Sequence, residues 1–438
     1  MHTRAGTDLY RALGDKIDNL PARAPWSGTF HAILKELYTP EEADLVVRMP
    51  YTLSSLERIS RMTRIEKTRL RTLLDGLCRK GLVFDIFNGR DSQYYYVPSP
   101  LVVGIFEFTM MRTDAGLDAK KLAGLFHAYL SGEGAFYSAN LGHDERVSAL
   151  RVIPVEETVS ASAQTAFMDY EKATSLIEGA GRLAMGLCSC RNEKHLEGVK
   201  QCDAPLDNCS LFGIGAELGI RNGLAREVSK EEMIDNFARS KDLGLVFCAY
   251  NTKKPLSVCQ CCPCCCNALA GMTRFGFSNV ITTSNFLASV RKDACTGCGR
   301  CVEACPVGAI GLVSAQDPRH PKKKKARVDE RICLGCGVCA NRCPADAVVM
   351  VSRPSRVIHP ETLFETFILG SLERGTLQNQ IFDDPMSRTQ QALRTLLGAF
   401  FRLPPVKRAL MSDALRSTFL SFMRAGATLQ GKGWMTEL

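Results

Sequence analysis

Cys295-Thr-Gly-Cys298-Gly-Arg-Cys301-Val-Glu-Ala-Cys305-Pro306 and Cys333-Leu-Gly-Cys336-Gly-Val-Cys339-Ala-Asn-Arg-Cys343-Pro344 repeat one spacing, C-x2-C-x2-C-x3-C-P, thirty-eight positions apart. Three cysteines at that pitch curl the backbone so that three thiolates face one iron–sulfide cube. The fourth sulfur must come from elsewhere, so the fourth cysteine of each copy is expected to serve the other copy's cluster. The predicted ligand sets are Cys295, Cys298, Cys301 and Cys343 for one [4Fe–4S] cluster, and Cys333, Cys336, Cys339 and Cys305 for the other. Zinc also takes C-x2-C pairs, but its sites usually set two such pairs further apart and need no third cysteine at the same pitch. Gly297, Gly299, Gly335 and Gly337 leave room for backbone N–H groups to approach cluster sulfides. The apolar stretches 307–313 and 345–351 suit a short helix start and a strand covering each cube.

The chain has 438 residues, too many for one small cluster domain, and its 45% hydrophobic content is ample for several cores. Its 20 cysteines are the outlier. The opening residues carry Arg4, Asp8, Arg11, Asp15 and Lys16 and no apolar core, so no secretory signal is expected. No stretch is long and apolar enough to predict a transmembrane helix. A cysteine-rich chain of this kind reads as metal-binding in a reducing cytoplasm rather than as a disulfide scaffold. The net charge of +9 suits acidic protein partners or an anionic membrane surface and is too weak to establish nucleic-acid binding. One basic run, Arg319, Lys322, Lys323, Lys324, Lys325 and Arg327, joins the two cluster motifs. It reads as a solvated loop or as a docking patch for an acidic redox partner.

The predicted fold class is α+β and multidomain. Residues 1–100 are expected to form a helical segment and a winged-helix-like unit. Helices over 53–62 and 64–80 precede strands 82–87 and 94–97 around Asn88-Gly89. Arg61, Arg64, Lys67, Arg69 and Arg71 could meet DNA, but a protein-interaction module with a solvated basic face is the favoured reading. Residues 101–285 are expected to form a cysteine-rich α/β middle domain, with helices at 117–130, 170–186 and 233–240 and strands at 151–155 and 244–250. Residues 286–353 hold the repeat. Residues 354–438 form a helical extension, with helices expected at 361–372, 387–401 and 407–423.

The middle domain has its own cysteine constellation: Cys188, Cys190, Cys202 and Cys209, then Cys259, Cys261, Cys262, Cys264, Cys265 and Cys266. No core needs that density, so some are ligands or reactive thiols and others small buried hydrophobes. Cys78 and Cys248 stand in apolar surroundings and read as core. The remaining ten suffice for one or two further [4Fe–4S] clusters of unknown pairing, giving up to four. Zinc is the alternative, and a catalytic non-cubane cluster or redox dithiol a third option. Arg191 and Arg221 could donate hydrogen bonds to cluster sulfides or pair with carboxylates such as Glu217. Gly213-x-Gly215 lacks the third glycine of a dinucleotide fingerprint and reads as a turn after a cysteine group.

The succession Cys188-Ser-Cys190-Arg191, Cys202, Cys209 with Phe212-Gly213, Ala225-Arg226-Glu227-Val228-Ser229, Gly244-Leu245-Val246, the cysteine run and the repeat resembles ferredoxin-type 4Fe–4S dicluster-binding proteins of anaerobic and sulfur- or aromatics-metabolising bacteria. Members are similar at the amino end too, with a winged-helix-like unit before a segment such as Val103-Gly104-Ile105-Phe106-Glu107-Phe108. The resemblance spans about residues 53–351 and implies electron transfer within a larger oxidoreductase system. The expected function is therefore relay of single electrons to or from a partner, acidic or flavin-containing, by a component of an oxidoreductase complex rather than a stand-alone catalyst. Two alternatives stand beside it. One is a redox-sensing winged-helix transcription regulator. The other is a thiol/disulfide reductase subunit using Cys259–Cys266. The expected location is the cytoplasm, with peripheral membrane contact through a partner. An apolar and basic tail surface at Leu396, Leu397, Phe400, Phe401 and Leu403, with Arg402, Lys407 and Arg408, is expected to dock a partner, contact a membrane or pack as core.

Overall fold

The computed structural model describes residues 8–112, 116–132, 134–141 and 147–438, so the first seven residues, part of the stretch where no secretory signal is expected, lie outside the described residues. A seven-stranded sheet positions the middle cysteines. Its strands run, edge to edge, Ile281–Thr282, Leu150–Ile153, Val246–Tyr250, Ser257–Cys261, Cys209–Phe212, Leu183–Gly186 and Ala225–Glu227. All neighbours are antiparallel except the first pair. Strand alternation sorts its side chains. Phe247, Ala249 and Val258 face a layer containing Met233, Phe237 and Ile177 from the helices Lys230–Asp242 and Ala173–Gly179. Val246, Cys248 and Cys261 face the opposite side, with Cys266, Leu269 and Leu334. Both faces are covered, which is why Val246–Tyr250 is apolar and buried along its whole length.

Before the sheet lie helices Leu9–Asp18, Gly28–Leu37, Pro40–Arg48, Leu56–Thr63 and Lys67–Arg79, then the hairpin Val83–Asn88 and Gln93–Pro98. The short strand Ser54–Ser55 pairs with the second hairpin strand. The order helix, helix, hairpin is as expected from 53–98. The second helix starts later than residue 64 because Arg64, at φ 58°, takes the left-handed conformation and ends the first. Leu13, Ile17, Phe30, Leu34, Ile59, Leu70 and Leu74 form one core with Phe106 and Phe126. Leu122 and Phe126 belong to the helix Ala119–Ser131, close to the expected 117–130.

Two expected elements are corrected. Residues 170–186 are not one helix: Ala173–Gly179 is helical, and Leu183–Gly186 is a sheet strand. Gly179 and Gly181 interrupt the helical pattern, and all four strand positions are buried between layers. Residues 407–423 form the ends of two helices, Pro404–Leu410 and Arg416–Leu429. Gly213-x-Gly215 also follows a strand, Cys209–Phe212, and opens the helix Ile214–Arg221.

The repeat is built from two ladders, Phe286–Val290 with Val348–Ser352 and Ile310–Ser314 with Lys324–Val328, and two short helices, Arg300–Glu303 and Val338–Asn341. It is joined to the sheet by backbone bonds: Val155 N–H donates to the Cys336 carbonyl at 3.0 Å, and Ser160 N–H to that of Met350 at 2.9 Å.

The carboxyl-terminal helices clamp the earlier parts together. Asp383, nearly buried, accepts from Arg58 at 2.7 and 2.8 Å and from Lys432 at 2.7 Å, with the Thr52 hydroxyl also donating to it. Those two cations hold its carboxyl well below the usual range in spite of burial. Buried His359 meets the Asn251 amide at 3.0 Å, at the end of a central strand.

Candidate metal centres

The repeat brings its eight cysteines to two cavities. Cys295, Cys298, Cys301 and Cys343 line one, with Leu312, Ala326 and Val348. Cys305, Cys333, Cys336 and Cys339 line the other, with Ile310 and Met350. Each set combines three cysteines of one copy with the fourth of the other. Backbone N–H groups reach the sulfurs in matching positions. Ala309 donates to Cys305 Sγ at 3.1 Å and Ala347 to Cys343 Sγ at 3.3 Å, each four residues on. Such donors stabilise thiolate charge. Gly297, Gly299, Gly335 and Gly337 all have positive φ, between 76° and 85°. At Gly297 a Cβ would overlap the Lys324 carbonyl oxygen, and at Gly335 that of Phe286. These loops close only with glycine, and the donor set of four thiols per cavity fits a [4Fe–4S] group.

The two cavities differ in depth. Cys298 is exposed, whereas Cys333, Cys336 and Cys339 are buried. Cys336 packs in the same apolar cluster as Cys248, Cys261 and Cys266 of the sheet.

The ten middle cysteines separate into two groups. Cys202, Cys262, Cys264 and Cys265 place all four sulfurs within 4.8 Å of one another. Cys262 leaves the end of strand Ser257–Cys261, and a turn brings Cys264 and Cys265 back beside it; Cys202 comes from the loop after helix Ser189–Leu196. Arg191, fully buried, donates to the carbonyls of Pro205 and Gln260 and lies 3.7 Å from Cys262 Sγ. The Cys265 thiol and the Arg191 guanidinium bring Cys262 down to about 5 against the effect of burial.

The other six, Cys188, Cys190, Cys209, Cys259, Cys261 and Cys266, line a cavity of about 220 Å³ with Glu107, Phe106 and Tyr137, and Cys262 and Cys265 of the first group also reach its wall. Here five of the thiols form an open chain, with Cys188 outside it. Cys190 meets Cys266, Cys266 meets Cys261, Cys261 meets Cys259, and Cys259 meets Cys209. Burial pushes Cys188 up to about 12 and Glu107 up to about 7. Neighbouring thiols donate to Cys259 and Cys266 and hold both well below the ordinary thiol range.

Sequence reasoning placed Cys248 in the core, where it lies, and missed only its thiol contact. Its thiol bonds to Cys261, because Cys248 and Cys259 are register partners on one face of adjacent strands. The alternation of 246–250 was the available signal. Cys78 is core, as expected. Arg221 turns away from the thiols: it pairs with Asp85 rather than Glu217, and stacks 3.7 Å over Tyr94.

Fourfold thiol sets on glycine-lined loops in the repeat fit iron–sulfur groups. Residues 294–347 match the family described as the 4Fe–4S dicluster domain, and with the cysteine-rich region this supports a ferredoxin-type 4Fe–4S binding protein. No curated protein and no solved structure matches the chain. Among the described residues, no helix is long and apolar enough to cross a membrane.

Proposed function

We propose that this chain relays single electrons to or from a partner oxidoreductase. The observation that carries the reading is the graded burial of its thiol sets. The cavity at exposed Cys298 borders the buried set at Cys336, and Cys336 shares an apolar cluster with the six-thiol cavity. Bound clusters supply reversible one-electron storage. The chain supplies the rest. Cys295, Cys298, Cys301 and Cys343 hold the outer group, and Cys305, Cys333, Cys336 and Cys339 the inner one. The six-thiol cavity holds a third. Buried apolar walls exclude water between them, and backbone donors tune the sulfurs.

The basic run lies beside the outer cavity. Ala326, on strand Lys324–Val328, lines that cavity and donates to Cys295 Sγ at 3.5 Å. Exposed Lys322, Lys323 and Lys324 thus suit an acidic partner there. Exposed Leu396, Phe400 and Leu403 are a further docking surface, while Leu397 and Phe401 turn into the tail's own core.

We read the amino-terminal unit as a winged helix used for packing. Arg69 is paired with Glu41 and Lys67 with Glu57, and Tyr95 of the hairpin packs on Trp434 at 4.9 Å. Gel retardation with random duplex at low salt is expected to show no binding; salt-sensitive binding would favour the regulator. A thiol/disulfide reductase is the second reading. It is supported by the six-thiol cavity, which holds more thiols than one cubane takes.

The experiment is iron, acid-labile sulfide and electron paramagnetic resonance on anaerobically purified full chain. About twelve irons are expected for three cubanes, with about four lost in Cys190→Ser/Cys209→Ser. A colourless, iron-free protein ends the reading.

A further inference from the structure

We propose that Cys202, Cys262, Cys264 and Cys265 hold one zinc-class divalent ion in a tetrahedral tetrathiolate site. The argument is metric. Cys202 Sγ lies 3.5 Å from Cys262 Sγ and 3.9 Å from Cys265 Sγ, and Cys264 Sγ lies 3.5 Å from Cys265 Sγ. Four sulfurs about 2.3 Å from a single zinc stand about 3.8 Å apart along the tetrahedron's edges. The observed separations bracket that value. A cubane carries one thiolate on each of four separate irons, pointing outward, and so spreads its terminal sulfurs wider than one ion does.

The same molecule supplies the control. Among the described residues this is the one group of three or more Cys, His, Asp or Glu whose ligand atoms all fall within 4.8 Å. Neither four-cysteine set of the repeat closes to that distance, and neither do the six thiols of the large cavity. The fold thus distinguishes two kinds of thiol site, wide and tight.

The local backbone is built for the tight one. Cys262 and Cys265 are a C-x2-C pair whose turn is closed by the N–H groups of Cys265 and Cys266 on the Cys262 carbonyl, at 3.4 and 3.1 Å. Lys200 donates to the Cys202 carbonyl and fixes the loop that brings the fourth sulfur. Four thiolates around a divalent ion leave a double negative charge. Arg191, 3.7 Å from Cys262 Sγ and itself fully buried, offsets part of it. Thiolates select zinc-like ions over magnesium or calcium, and four protein ligands leave no open position. The site is structural. It staples the loop carrying Cys202 to the end of a central strand, beside the six-thiol cavity. It concerns zinc rather than iron, so it can fail while the electron-transfer reading stands, and the reverse.

Zinc and iron per chain, with zinc-edge X-ray absorption on the anaerobically purified full chain, test it. The expected result is one zinc with a single shell of four sulfurs at about 2.3 Å and no metal neighbour. Cys202→Ser/Cys265→Ser is expected to lose that zinc and keep its iron and visible absorbance. If the variant does not fold, the wild-type spectrum alone decides. Absence of zinc overturns the proposal, and so does a double variant that loses about four irons, the count of one cubane. Loss of a single iron overturns the assignment to zinc.

Discussion

In segment 294–347 the first three cysteines of each copy sit on a short glycine-bearing loop or the first turn of a four-residue helix, the fourth follows that helix, and the partners lie a few residues away or in the twin copy. In the middle sheet the thiols come from a strand end, a helix start and a loop spread over residues 188–266. The first region sets sulfur positions by local backbone geometry. The second sets them by strand register and layer packing. The two should therefore respond differently to the same chemical insult, and the variants below are ordered by how far they separate the responses.

The largest contrast is at glycine. Gly335→Ala places a methyl into the Phe286 carbonyl oxygen at a backbone φ of 76°, so the loop cannot close. About half of the repeat's iron is expected to be lost. Gly223→Ala, on the turn after helix Ile214–Arg221, has the same left-handed φ, 67°, but nothing within 4 Å of the added carbon. It is expected to cost only about 1 kcal/mol in a denaturant melt and to leave iron content unchanged. Equal iron in the two variants would remove the distinction between loop-built and sheet-built sites.

That contrast explains what was legible in the sequence. The repeat could be read because three cysteines at a fixed pitch and their interleaved glycines encode a turn without help from the rest of the chain. The pairing across copies follows from the same count, and the two cavities bring together the thiols that the count expects. The middle thiols could be recognised as a constellation but not divided. Cys264 and Cys265 go to one group and Cys266 to the other only because Cys266 starts the helix Asn267–Thr273 and turns toward Cys190. Cys248 meets this group through register with Cys259, a fact of strand pairing eleven residues away from the cysteine run. Leu183–Gly186 read as helix for the same reason: four apolar residues have no period, and burial between two layers decides them.

A second contrast lies inside the repeat. Cys336→Ser alters a proposed ligand position that is buried among Leu334, Val338 and Cys261. It is expected to lose about four irons and to lower the melting temperature, since an apolar cavity is then left without its occupant. Cys298→Ser changes an exposed position. Water has access there, and a substituted oxygen ligand or water can complete the set, so partial iron retention with a shifted potential is expected by protein-film voltammetry. Identical iron loss in both would show that depth in the fold does not matter to retention.

A smaller effect comes from protons. His359, buried against Asn251 and facing Arg151, Arg356 and Lys253, is pushed down to about 3, chiefly by burial and then by those cations. Its folded pKa lies below the ordinary value of about 6.5, so the unfolded chain binds the extra proton between the two. The stability from neutral His359 is complete above about pH 6.5 and declines by about 1.4 kcal/mol per pH unit as pH falls toward the folded value. Urea melts at pH 7 and pH 5 are expected to differ more in the wild type than in His359→Gln. The residue clamps the tail to a central strand of the sheet, so the pH-dependent part should appear in tryptophan or circular dichroism signals of the fold and not as a change in the repeat's absorbance at pH 7. Equal slopes for the two proteins would place the acid sensitivity elsewhere.

The smallest expected effect tests which region meets the partner. Lys322→Glu/Lys324→Glu reverses two exposed charges beside the outer cavity, whereas Lys230→Glu reverses one at the start of a helix covering the middle sheet. Charge steering acts over about a Debye length, about 10 Å at 0.1 M salt, so only charges near the proposed electron exit alter productive encounters. With a strongly acidic one-electron acceptor protein in stopped flow, the double variant is expected to slow reduction about tenfold at low salt and to converge with wild type as salt rises. Lys230→Glu should change it less than twofold. Both variants should leave iron content and melting temperature unchanged, because none of Lys322, Lys324 and Lys230 holds a sulfur in place. A larger loss from Lys230→Glu would mean that electrons leave by the sheet, and the graded burial of the thiol sets would then have to be read in the opposite direction.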